Sequence, residues 1–115
     1  MNLLQAAAVV MVLTALAHSI VGEKRLIAPL VARDIDLLAG YRAMLVRFAW
    51  HYTSVLMIMT AALVAWPGAP VTLVQITGVA WLIAGLFDAI ATRGKHVGWP
   101  LLTLAGLLTL IGAGE

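Results

Sequence analysis

The residues able to do chemistry are few and confined to short segments. His18, His51 and His96 are the three histidines of the chain, and Glu23, Asp88 and Arg47 are the ionisable groups closest to them in sequence or on the same helical face. Arg47, His51 and Ser54 are spaced i, i+4, i+7, which places them on one side of a helix. His18 and Ser19 precede Glu23 by about one turn, and Asp88 precedes the Arg93–Lys95–His96 segment. Two or three imidazoles with one or two carboxylates form a ligand set for a first-row divalent metal, Zn or Fe above all. The expected ligands are His18, His51 and His96, with Asp88 or Glu23 as a carboxylate ligand or as the group that orients a ligating ring. Arg47 is then the candidate for holding an anionic group, from a substrate or a lipid head.

The spacing also leaves other classes open. There is no H-E-x-x-H and no E-x-x-H, so metal ligands have to converge from separate elements. Bis-histidine ligation by His18 and His51 suits a b-type haem, ranked behind a metal. In that case Met11, Met44, Met57 and Met59 read as packing residues, not as axial ligands. A proton-coupled small transporter would use Asp88 and His51. In the simplest case His18 and His96 hydrogen-bond at headgroup level, and Arg47 snorkels to lipid phosphate or pairs with Asp88, a reading that the depth of His51 fits least. The chain is then a non-catalytic accessory subunit of a larger membrane complex. The residues alone do not decide whether it is an enzyme. The absence of cysteine excludes disulfides, thiolate metal sites, c-type haem attachment and iron–sulfur clusters.

The elements that must position these groups are apolar helices. Of the 115 residues 63% are hydrophobic and only 10% charged, with a mean hydropathy of +1.06. All seven basic residues lie within 24–47 and 93–95, whereas residues 1–22, 48–87 and 97–114 carry no Asp, Glu, Lys or Arg. A bilayer-spanning helix needs about 20 apolar residues, and such runs are predicted over 2–21, 44–66, 71–91 and 99–112, the last being short. Pro67-Gly68-Ala69-Pro70 turns the chain between the second and third. The expected fold is therefore all-α, one domain over 1–115, an up-down four-helix bundle in a bacterial inner membrane. Short loops rich in Lys and Arg stay cytoplasmic, which puts both termini on the non-cytoplasmic side. The net charge of +2 flanks spans and forms no stripe, so lipid is the expected partner, not nucleic acid. Ala15-Leu16-Ala17 resembles a leader cleavage site, but no Lys or Arg precedes it in the first residues, so 2–21 is read as a retained span.

Segment 23–43 is expected to lie in the interface, divided by Pro29, with Asp34 capping a helix that starts at Ile35 and runs on through a weak point at Gly40. Gly78, Gly85 and Ala89, with Ala105 and Thr109, form small-residue stripes for close helix contact, either within the chain or in a homo-oligomer.

Three segments, Ala17-His18-Ser19-Ile20-Val21-Gly22-Glu23, Trp50-His51-Tyr52-Thr53-Ser54 and Gly94-Lys95-His96-Val97-Gly98-Trp99-Pro100, resemble a group of small four-helix bacterial inner-membrane proteins that has no established activity. The resemblance implies that fold and that membrane, and no reaction. In length and span count the chain is also similar to the small multidrug resistance exporters, but residues 2–21 lack the acidic residue on which that family depends.

Overall fold

The computed structural model describes residues 1–33 and 35–115, and among these every regular element is helical. Asn2 starts the first helix, α1 (Leu3–Gly22). Its Oδ1 accepts the Gln5 N–H at 2.8 Å while Gln5 Oε1 accepts the Asn2 N–H at 3.0 Å. This reciprocal cap satisfies two backbone donors that a helix start otherwise leaves unpaired.

The helix does not stop at Gly22. It continues through a π turn, Glu23–Ile27, closed by the Ala28 N–H on the Glu23 carbonyl, into an α-helical tail, Ala28–Ala32. Pro29 was expected to divide this segment and does not. Proline inside an α-helix lacks the N–H for the carbonyl four residues back, and its ring collides with that carbonyl. The wider turn just before it gives the ring room, so Leu3–Ala32 is one 30-residue rod. Asp34, expected as a cap, lies outside the described residues. The helix expected from Ile35 is only a single 3-10 turn, Asp36–Leu38, and Gly40 at φ +62° breaks the chain before α2 (Tyr41–Ala65). A left-handed φ is open to glycine at little cost.

After α2, Gly68 at φ +77° turns the chain into α3 (Val71–Ala91), and the loop 92–97 leads to α4 (Gly98–Ala113). Pro100 sits in the first turn of α4, where a missing N–H costs nothing. Neighbouring helices run antiparallel. Gly112 near the end of α4 lies against Leu4 at the start of α1, so both chain ends share the end of the bundle that carries the 66–70 turn. The core between the helices is made of Ala7, Met11, Ala61, Val64, Trp81 and Ala105.

Three of the four neighbouring pairs, α1–α2, α1–α4 and α3–α4, pack along their length, whereas α2 and α3 hardly touch. Glycine explains the closest of them. A Cβ on Gly106 would lie 2.5 Å from the Leu82 nitrogen and 2.9 Å from the Gly78 carbonyl oxygen, and one on Gly85 would lie 2.6 Å from the Thr103 nitrogen. The small-residue stripe of α3 is thus spent inside the chain, on α4. Helix α2 has no glycine at all, and α2 and α3 are linked by their short turn and by Trp81 Nε1–H donating to Thr60 Oγ1 at 3.0 Å.

Three stretches, Leu3–Ala32, Tyr41–Ala65 and Val71–Ala91, are long and apolar enough to cross a bilayer, and only 28%, 17% and 28% of their most apolar windows are buried in the protein. Leu13, Ile20, Ile83, Phe87 and Ile90 all point outward. Gly106→Ala is expected to destabilise the bundle by about 1–3 kcal/mol, the usual cost of overpacking, whereas Leu104→Ala on the outward face of the same helix should change little. Unfolding in detergent micelles followed by circular dichroism checks the difference.

Candidate functional site

The site is built where the end of α1 meets the first half of α2. Ser19 and Glu23 are four residues apart on α1 and its π turn, and Arg47, His51 and Ser54 share one face of α2. Because the two helices are antiparallel, Glu23 falls opposite Arg47 and Ser19 falls opposite His51 and Ser54. Arg47 Nε–H donates to Glu23 Oε1 at 2.7 Å, and His51 Nε2 lies 3.1 Å from Glu23 Oε2. His51 Nδ1 lies 2.9 Å from Ser19 Oγ, which in turn donates to Ser54 Oγ at 2.6 Å. The run therefore leads from Glu23, 30% exposed, through His51, 36% exposed, to Ser54, which is buried.

Proton bookkeeping within this run is constrained. A carboxylate only accepts, so the Nε2 facing Glu23 carries hydrogen. Where Ser19 donates to Ser54, Ser19 accepts from His51, and Nδ1 then carries hydrogen too, as in an imidazolium. A neutral ring reverses both hydroxyls: Ser54 then donates to Ser19, and Ser19 to Nδ1. One proton on His51 sets the direction of two further hydrogen bonds.

A second layer of contacts fixes the helices around this run. The rings of His18 and Trp50 stack with centroids 4.2 Å apart and an interplanar angle of 8°. Trp50 Nε1–H donates to the His18 carbonyl at 2.9 Å, and His18 Nε2 lies 2.8 Å from Thr53 Oγ1. Gly22 makes room for the indole, since a Cβ there would come within 2.6 Å of Trp50 Cε2.

His96 belongs to a separate cluster. Its Nδ1 lies 2.6 Å from Asp88 Oδ2, and Thr92 Oγ1 donates to the Asp88 carbonyl at 2.7 Å and accepts the His96 N–H at 3.3 Å. Arg93 at φ +53° and Gly94 at φ +75° bend this loop, and Trp99 Nε1–H closes it on the Gly94 carbonyl at 3.2 Å.

Of the six residues expected from sequence, then, Glu23, Arg47 and His51 come together, His18 stands beside them on Trp50, and Asp88 pairs with His96 elsewhere. Arg47 meets Glu23, not Asp88. Among the described residues no group of three or more His, Asp or Glu side chains is placed to hold a metal ion. His51 has both ring nitrogens engaged by Ser19 and Glu23, and the His18 ring is committed to Trp50 and Thr53, an arrangement that does not fit bis-histidine haem ligation either. Trp50, Thr53 and Gly22 lie in the segments that carry the family resemblance but are given no role by the sequence. Their signal is the antiparallel register, which puts a glycine on α1 opposite a tryptophan on α2.

Compared with known protein families, curated proteins and solved structures, the chain matches none.

Trp50→Phe keeps the stack on His18 but loses one hydrogen bond, and is expected to cost about 0.5–1.5 kcal/mol. Gly22→Val should cost more, because it drives the indole off α1 and releases both the stack and the bond. Chemical unfolding ranks the two, and near-ultraviolet circular dichroism shows the signal of the stacked Trp50 in the parent protein and its loss in Gly22→Val.

Proposed function

We propose that this is a multi-pass protein of a bacterial inner membrane, with the His51 end of the bundle on the cytoplasmic side, and that it works as a small proton-coupled carrier. In this reading His51 is the proton-binding group, Glu23 its counterion and Arg47 the fixed charge that holds Glu23 in place. The observation that carries it is the hydrogen-bonded run from Glu23 through His51 and Ser19 to buried Ser54, in which every link beyond Glu23 can both give and take a proton.

The membrane setting is supported by the three apolar stretches and by the apolar side chains on their outer faces, a surface that soluble monomers do not carry. The orientation rests on Lys24, Arg25, Arg33, Arg42, Arg93 and Lys95, all exposed at one end of the bundle. At about 45 Å the Leu3–Ala32 rod exceeds the hydrocarbon thickness, so its tail projects into the headgroup layer and brings Glu23 near the interface.

Imidazole is the side chain that ordinarily changes charge between about pH 5 and 8. Adding a proton to His51 creates a positive ring beside the Glu23 carboxylate and tightens α1 on α2. Removing it leaves a neutral ring whose Nε2–H still bonds Glu23, without the attraction between charges, beside the Arg47–Glu23 pair. The clamp is therefore tighter when the ring carries the extra proton and looser when it does not, with the swing of Ser19 and Ser54 reporting the change to the interior.

The test is a spin-label distance between Leu26→Cys and Phe48→Cys, one on the π turn and one on α2, in proteoliposomes. The distribution should narrow as the pH is lowered, and His51→Phe should abolish this dependence. A distribution unaffected by pH, or one equivalent of transition metal in untagged protein that His51→Ala removes, would overturn the proposal.

A further inference from the structure

The end of the bundle that carries His51 also holds positive charge that the polar network does not use. All seven Lys and Arg residues and four of the five acidic ones fall within 23–47 and 88–95, against Glu115 alone near the other end. Glu23 is taken by Arg47 and His51, and Asp88 by His96. Lys24, Arg25, Arg93 and Lys95 are all exposed, and among the described residues none of the four has an ion-pair partner.

Helix register sets these four cations at one level. Gly112 of α4 lies against Leu4 of α1, and two antiparallel helices of equal rise then bring the start of α4 level with His18. The loop before α4, with Arg93 and Lys95, and the π turn after Gly22, with Lys24 and Arg25, therefore leave the bundle together. Arg33 and Arg42 lie further out, Arg33 just past the end of the rod and Arg42 by the register that sets Arg47 opposite Glu23.

Beside and below the four cations the surface is apolar. Ile20, Val21, Phe87, Ile90 and Val97 are all exposed, and residues 1–22 and 48–87 contain no Asp, Glu, Lys or Arg. An anion that meets these cations thus stands at the edge of an apolar band, where a lipid places its phosphate while its acyl chains cover the carbon below. The cations also discriminate among lipids. A phosphatidylcholine phosphate is offset by its own choline, whereas an anionic headgroup brings a charge without a partner, and clustered Lys and Arg beside a span draw such headgroups.

We infer that Lys24, Arg25, Arg93 and Lys95 form a docking surface for anionic phospholipid headgroups, which the chain holds in preference to zwitterionic ones. The inference rests on the membrane setting proposed above and is independent of His51. The two basic pairs supply the charge, and the exposed apolar side chains beneath them receive the acyl chains. The attraction acts between charges at an aqueous edge, so salt weakens it.

The test is electron paramagnetic resonance of trace spin-labelled lipid around the full chain in phosphatidylcholine vesicles. The label is carried either by phosphatidylglycerol or by phosphatidylcholine with the same acyl chains, and the motionally restricted fractions are compared. Phosphatidylglycerol is expected to be the more restricted. The margin should shrink between about 0.01 M and about 1 M salt, as the Debye length falls from about 30 Å to about 3 Å. Replacing all four residues, Lys24→Gln, Arg25→Gln, Arg93→Gln and Lys95→Gln, should bring the two lipids to parity, and either adjacent pair alone should remove part of the margin. Arg33→Gln with Arg42→Gln should leave most of it. Equal restriction of both lipids by the unaltered chain, a margin indifferent to salt, or one that neither the pairs nor the fourfold replacement reduces overturns the docking surface while leaving the membrane setting intact. Loss of the margin on adding inorganic phosphate, but not sodium chloride of the same ionic strength, would assign a free anion to the cations and overturn it as well. Absence of any restricted lipid would remove the membrane setting together with the site.

Discussion

The bonds that His51 makes to Ser19 and Glu23 depend on α1 running on as a helix past Gly22. Ser19 and Glu23 share a face only while the backbone between them stays helical, and Pro29 a turn later would ordinarily end that run. The π turn at Glu23–Ile27 reconciles the two demands: it gives the proline ring room and keeps Glu23 aimed at α2. Such turns occur often at functional sites, where an altered period re-aims a side chain. Remove the continuity and Arg47 and His51 lose their shared carboxylate.

Helix packing serves the same end. Small residues let α1 meet α2 and α3 meet α4 closely: Gly22 admits Trp50, and Gly78, Gly85 and Gly106 bring the backbones of α3 and α4 together. In lipid, where no hydrophobic force drives helices together, such close packing and interhelical hydrogen bonds carry the association. The α2–α3 pair has no comparable device, so the bundle is tight around α1 and α4 and loose between α2 and α3. Few contacts join α2 to α3, whereas α2 is held to α1 by the Glu23 and His18–Trp50 contacts. The polar network thus sits on the closely packed α1–α2 interface.

Much of the helical architecture is legible in the sequence, because charge-free apolar runs broken by Pro67-Gly68 leave few alternatives. The connection after Gly22 is not. Whether a proline ends a helix or is absorbed by a π turn depends on what the flanking turns gain by staying folded, and here the gain comes from α2, which no local pattern reveals. The site is legible only in part. Arg47, His51 and Ser54 lie on one face by spacing alone, but the partner of Arg47 does not follow from charge: Asp88 and Glu23 each carry a carboxylate and lie at the same end of the bundle. Antiparallel register decides in favour of Glu23, and the loop at Arg93–Gly94 gives Asp88 to His96 instead. Three histidines at one end of a bundle are not yet a ligand set.

The most direct measurement is the protonation of the His51 ring itself, read from its nitrogen chemical shifts by solid-state NMR in proteoliposomes and assigned by loss of the signals in His51→Asn. Over a pH series Nε2 should carry hydrogen throughout, bonded to Glu23, while Nδ1 gains a hydrogen as the pH is lowered. A ring whose Nδ1 keeps the same state at every pH, or whose Nε2 is the bare nitrogen in the neutral form, would contradict the account.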